Sequence, residues 1–153
     1  MFNIGVVGAG HLGKIHLKIL KNASFVDLIG FYDSDPLVRK NIKSKLGIKA
    51  FETYQELIEN SDIIDIVTPT LSHYNCAKEA LKQDKHVFIE KPVTHTLEEV
   101  RKLIKIAQIT GKKVQVGHVE RFNPAFTEAS KLIHQPRFIE VHRLAQFNSR
   151  GTD

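Results

Sequence analysis

One cysteine, Cys76, stands among 153 residues, so no internal disulfide can form, and no Cys/His spacing of the zinc-ribbon kind occurs. No apolar run approaches the roughly 20 residues that a membrane-spanning helix needs. The start lacks a basic region, a hydrophobic stretch and a small-residue cleavage site; Met1 to Gly8 is instead a short apolar run resembling a strand. These absences point to a cytoplasmic, reducing location with no membrane partner. No solenoid repeat and no low-complexity linker interrupts the chain. Lys and Arg are not interleaved with aromatics as in single-strand binders. The net charge of +5 favours anionic company, whether nucleic acid, acidic lipid or a phosphorylated small molecule. Its cations, such as Lys14, Lys18, Lys21, Lys40, Lys43 and Lys45, are spread along expected helices as solvated faces, so no nucleic-acid partner is expected.

What is present is an alternation of elements. Hydrophobic residues make up 42% and charged residues 25%, as in a soluble globular domain. Residues 3–7 form a strand, and His11 to Asn22 a helix with Leu12, Ile15, Ile19 and Leu20 at helical spacing. Val26 to Tyr32 is a second strand, Asp35 to Leu46 a helix opened by Asp35-Pro36, and Ile48 to Phe51 a third strand. Thr53 to Asn60 is a helix with a capping box, and Ile63 to Val67 a buried strand closed by Thr68-Pro69. Leu71 to Gln83 and His86 to Ile89 repeat the pair, as do Thr96 to Thr110, ended by Gly111, and Val114 to Gly117. The expectation is an α/β fold with six strands in a doubly wound parallel sheet.

The tail departs from the pattern. Arg137 to Phe147 alternates apolar and polar residues, as a half-buried strand does. Residues 1–135 are expected to form one domain, and 136–153 the first strand of a second, α+β domain that this chain does not contain. A strand with unpaired edges needs such a cover.

Gly8-Ala9-Gly10-His11-Leu12-Gly13 is a G-x-G-x-x-G sequence set between the first strand and the first helix. In that position the first glycine permits a tight turn, the second a close approach of backbone to pyrophosphate, and the third close helix-strand packing. Unpaired N–H groups at a helix start bind phosphate oxygens, so Gly8, Gly10, His11, Leu12 and Gly13 are candidate coenzyme contacts. Asp33 ends the second strand about 20 residues beyond Gly13, where a carboxylate accepts from the adenosine ribose hydroxyls and repels a 2′-phosphate. With the uncharged Ser34 beside it, this favours NAD over NADP. Capping of the next helix is the competing role for these acids, and Asp35 fits it better than Asp33.

In such sheets ligands bind beyond the carboxyl ends of the strands. The residues there are Thr68-Pro69 with His73, Glu90-Lys91-Pro92, and Gly117-His118-Val119-Glu120-Arg121. Through Gly8-Ala9-Gly10, Thr68-Pro69, His73 and above all Glu90-Lys91-Pro92, the chain resembles the Gfo/Idh/MocA family of oxidoreductases over essentially its whole length. The resemblance implies a Rossmann domain binding NAD, with Lys91 near the nicotinamide and the reacting hydroxyl. An ammonium there orients the hydroxyl or, once deprotonated, takes its proton. Glu90 then holds the lysine or a ribose hydroxyl, and a cis Lys91-Pro92 peptide is implied. Thr68, Pro69, His73, Glu90 and Arg121 join the candidate coenzyme contacts, with a salt bridge competing for Arg121. His16, His86 and His118 have no metal-ligand spacing and are expected at the surface or in packing; no metal is expected.

Val116 to Pro124, Pro136 to Glu140 and Arg150 to Asp153 look like the nucleotide-sugar members of that family. This implies a dehydrogenase passing hydride between a sugar or nucleotide-sugar carbinol and NAD, in a homo-oligomer. Family members continue into a domain that supplies an acid/base histidine and most of the substrate pocket, so this chain is expected to bind coenzyme but be inactive alone. The alternative is a non-catalytic, NAD-sensing protein of the same fold.

Overall fold

A computed structural model describes residues 1–142 and residue 144. Strand β1 (Phe2–Val7) turns into α1 (His11–Lys21), followed by β2 (Val26–Tyr32), α2 (Pro36–Leu46) and α3 (Tyr54–Asn60). Then come β3 (Ile63–Ile66), α4 (Thr70–Lys82), β4 (His86–Ile89), α5 (Leu97–Thr110) and β5 (Val114–Val116). A 3-10 turn at Val119–Phe122 and α6 (Pro124–Ser130) are the last elements among the described residues. The chain divides into two compact units, Met1–Gly117 and His118–Asp153.

Helix ends follow the local chemistry. Asp35 accepts from the Leu37 N–H at 2.8 Å ahead of Pro36, and Gly47, at φ 63°, closes α2. Thr53 with Glu56 and Thr96 with Glu99 form capping boxes on α3 and α5. Each such cap contributes about 1 kcal/mol.

The five strands are parallel in the order β2-β1-β3-β4-β5. Right-handed crossovers running in opposite directions from β1 and β3 place helices on both faces. Two cores result. Val7, Ile64, Ile66, Val87 and Ile89 pack with residues of α3, α4 and α5 on one face, while Val6, Phe31 and Val67 pack with Leu17 and Ile42 of α1 and α2 on the other. On that second face α1 does not cover the β4 half of the sheet, leaving an apolar hollow of about 600 Å³ over Phe2, Ile4, Ile63 and Phe88.

One expectation is corrected. Among the described residues the sheet has five strands, not six: Ile48 to Phe51 makes one bridge, Ala50 to Phe31, with two main-chain bonds to the Phe31 backbone. Confined between the Gly47 cap and the Thr53 cap, the segment instead turns Ile48 and Phe51 into the two cores. In the tail, residues 137–142 are exposed and outside regular structure, because none of the described residues pairs with them. Arg143 and Ala145 to Phe147, the rest of that expected strand, lie outside the described residues. Among the described residues no helix is long and apolar enough to cross a membrane.

Candidate functional site

The turn after β1 is shaped by steric contact. Gly8 sits at φ +93°, and a Cβ there would lie 2.7 Å from the Val67 carbonyl oxygen. A Cβ on Gly13 would overlap the Gly8 carbonyl oxygen, so the missing side chain is what lets α1 approach its own turn. Gly10 differs: a Cβ there meets nothing within 4 Å, and the space beside this backbone is open. Gly10 is also the N-cap of α1, and no side chain among the described residues caps that helix end. The first N–H groups of a helix have no partner within it. Those of the exposed His11 and Leu12 lie beside that open space, with the positive end of the helix dipole behind them, while Gly13 is buried against the Gly8 carbonyl.

Asp33 leaves β2 and reaches this turn directly. Its Oδ2 accepts from the Ala9 N–H at 2.7 Å, and its Oδ1 accepts from the Asp35 N–H at 3.0 Å. The carboxylate is thus fixed against the glycine turn while half-buried, with Ser34 exposed beside it. Sequence reasoning missed Arg39, whose guanidinium donates to the Asp33 main-chain oxygen at 2.8 Å and to Glu52 at 3.0 Å. This cation close to Asp33 is therefore already engaged by acceptors of the protein. Its position one turn into α2, facing back toward β2, was the available signal.

The loops after β3 and β4 are joined by His73. Its ring is buried, with Nε2 at 2.8 Å from the Thr68 carbonyl and Nδ1 at 2.9 Å from the Pro92 carbonyl. The ring spans the Thr68-Pro69 and Lys91-Pro92 segments rather than lying in solvent. The Lys91-Pro92 peptide is cis. Thr68 is partly buried, and Pro69, which opens α4, is exposed. Behind the loop, burial pushes the Cys76 thiol up to about 11, so it stays protonated and unreactive at neutral pH.

Glu90 is buried, and its Oε2 accepts from the Lys91 N–H at 3.1 Å. A Cβ on Gly117 would lie 2.7 Å from Glu90 Oε1, so the glycine after β5 makes room for this carboxylate. Lys91 itself is exposed, and no side chain among the described residues engages its ammonium. His16 was expected at the surface or in packing. It lies instead with Nδ1 2.8 Å from Asp65 Oδ2 and Nε2 3.6 Å from Glu90 Oε1. Arg121 falls in the second unit, exposed in the 3-10 turn. Among the described residues no group of three or more His, Cys, Asp or Glu is arranged to hold a metal.

Residues 2–118 match an oxidoreductase family described as having an NAD-binding Rossmann fold, GFO_IDH_MocA. The chain is 35% identical over 150 residues to UDP-N-acetylglucosamine 3-dehydrogenase of Acidithiobacillus ferrooxidans, covering 97% of this chain and 47% of that protein. The solved structure of that enzyme superposes with a TM-score of 0.78 at 33% identity, over 86% of this chain and 43% of the other. Inositol 2-dehydrogenase of Rhizobium meliloti is 31% identical over 142 residues, covering 90% of this chain and 42% of that protein. The structure of scyllo-inositol dehydrogenase from Lactobacillus casei with bound NAD(H) and scyllo-inositol gives a TM-score of 0.79 at 28% identity, over 86% of this chain and 40% of the other. The chain spans less than half the length of these relatives.

Proposed function

The chain belongs to the Gfo/Idh/MocA oxidoreductase family, whose Rossmann domain binds NAD, and from that membership we propose that it is the coenzyme-binding part of a sugar or nucleotide-sugar dehydrogenase. The observation that carries this reading is the uncapped start of α1 beside the open backbone of Gly10, with the Asp33 carboxylate held against the same turn. A pyrophosphate takes the free N–H groups of Gly10, His11, Leu12 and Gly13. Asp33 keeps lone pairs for the ribose hydroxyls and, by its charge, disfavours a 2′-phosphate.

NAD, when bound, supplies the hydride chemistry. The residues of this chain bind and orient. His73 keeps the two strand-end loops together, and Glu90 holds the Lys91 backbone. Lys91, its side chain uncommitted, orients the substrate hydroxyl as an ammonium or, once deprotonated to the amine, takes up its proton. The relative named as a UDP-N-acetylglucosamine dehydrogenase supports a nucleotide sugar as substrate, while the inositol dehydrogenases support a ring carbinol more broadly. Arg121 reaches coenzyme or substrate in the whole protein, which completes the substrate pocket, forms a homo-oligomer and is required for turnover.

Isothermal titration of the chain with NAD and NADP tests the reading. NAD binding with NADP at least about tenfold weaker is the expected result, and preference for NADP refutes the role given to Asp33. Assay of the whole protein against a panel of UDP-sugars and inositols then separates the substrates.

A further inference from the structure

Asp65 breaks the apolar pattern of β3. Its register partners are Val6 in β1 and Phe88 in β4, so it lies on the face that α1 crosses. Its side chain is buried, Oδ2 accepts from His16 Nδ1–H, and Oδ1 has no partner among the described residues. A buried carboxylate with one bare oxygen is costly unless a full positive charge stands against it. His16 is the group that meets it, and a neutral imidazole offsets the charge poorly. With a proton on both nitrogens, the ring turns its second N–H toward Glu90 Oε1, 3.6 Å away.

The titratable groups facing the imidazole are Asp65 from β3 and Glu90 from the end of β4. His86 and Lys113 line the same hollow at the opposite end of β4. The Phe88 ring lies against the imidazole, with centroids 6.1 Å apart. The bond to Asp65 raises the imidazole above its ordinary range, burial opposes this, and the charges of Asp65 and Glu90 add to it. Burial also pushes the Asp65 carboxyl upward, with the His16 bond opposing.

We propose that His16 is a positioning residue: as an imidazolium between Asp65 and Glu90, it ties the coenzyme-binding helix to the carboxylate that fixes the Lys91 backbone. The link runs from the glycine turn through α1 to His16, then to Glu90 Oε1, and from Glu90 Oε2 to the Lys91 N–H. Removing the cation leaves two buried carboxylates with nothing between them. Glu90 then moves away, and the lysine loop loses its reference to the coenzyme helix. The functional value of this link rests on the reading of Lys91 given above; the link itself does not.

Amide hydrogen exchange of the NAD-free chain and its His16→Gln and Asp65→Asn variants tests the proposal. In His16→Gln the Lys91 amide exchanges at least about tenfold faster, while the Phe51 amide, bonded to the Phe31 carbonyl in the distant part of the sheet, keeps its rate. Asp65→Asn gives the same pattern more weakly, since a hydrogen bond to the ring survives. An unchanged Lys91 amide overturns the proposal, as does an equal rise at Lys91 and Phe51, which marks a merely structural role. Should His16→Gln not fold, the imidazole nitrogen shifts of the wild-type chain at about pH 7.5 decide. Two N–H nitrogens support the proposal and a single-proton tautomer overturns it. Because none of these readouts uses coenzyme, a chain that fails to bind NAD refutes the proposed function and leaves this test intact.

Discussion

Gly10 and Gly13 stand three residues apart in one motif, yet adding a methyl group to each should damage different properties. At Gly10 the new methyl meets nothing within 4 Å, and the backbone there (φ −65°, ψ −156°) is extended. The cost to folding is that of exchanging glycine for alanine at a helix N-cap, within about 1 kcal/mol. The methyl does fill the space through which a phosphate reaches the α1 amides. A charge-assisted bond contributes about 1.5–3 kcal/mol. Loss of one or two such bonds weakens NAD by roughly one to four orders of magnitude. At Gly13 the methyl overlaps the Gly8 carbonyl oxygen, which is backbone and cannot swing aside. The helix must shift from its own turn, and overpacking of this kind costs about 1–3 kcal/mol or more. Urea unfolding followed by far-ultraviolet circular dichroism, with NAD titration calorimetry on the same samples, separates the two. Gly10→Ala should keep the wild-type midpoint and lose coenzyme; Gly13→Ala should lose midpoint first. A Gly10→Ala chain binding NAD as the wild type does would show that no phosphate passes beside Gly10.

Asp33→Asn should weaken NAD about tenfold and narrow its advantage over NADP, since the charge that repels a 2′-phosphate is gone while the bond from the Ala9 N–H survives; paired titrations of the two coenzymes check this. Lys91→Ala in the whole protein should lower kcat at least about 100-fold with NAD affinity unchanged, read by steady-state kinetics beside calorimetry. The His16 imidazole takes up its proton more readily in the folded chain, so its stabilisation is complete below the ordinary imidazole range near pH 6.5 and is lost as pH rises through the raised folded value. The gap in urea midpoint between wild type and His16→Gln should therefore be wider at about pH 6 than at about pH 9, and a gap that widens with pH contradicts the sign.

The glycine turn was legible because its constraints are local: Gly13 answers to the carbonyl of Gly8 and Gly8 to the end of the adjoining strand. The caps at Asp35, Thr53 and Thr96 were legible for the same reason. Asp33 was found by spacing, but its anchoring to the Ala9 N–H depends on how the β2 end meets the turn, which spacing does not encode. The strand expected at Ile48 to Phe51 failed because a short segment with three apolar residues around Lys49 satisfies core positions as well as a ladder, and the caps at Gly47 and Thr53 decided between them. His73 was singled out for its likeness to a motif, whereas its two carbonyl partners lie on loops that only the fold brings together. His16 and Asp65 were passed over. Their pairing needs the facing of β3 toward α1, and an Asp inside a run of isoleucines, Ile63-Ile64-Asp65-Ile66, was the signal that a buried partner was required.

Main-chain N–H groups at the start of α1 are the proposed seat of the coenzyme's phosphates. Titrating the isotope-labelled chain with NAD, and following every backbone amide, tests this most directly. The largest shifts should fall on Gly10, His11, Leu12 and Gly13, followed by Ala9, with Gly47 and Gly111 at the far helix ends unmoved. Shifts centred elsewhere, or none at saturating NAD, would contradict it.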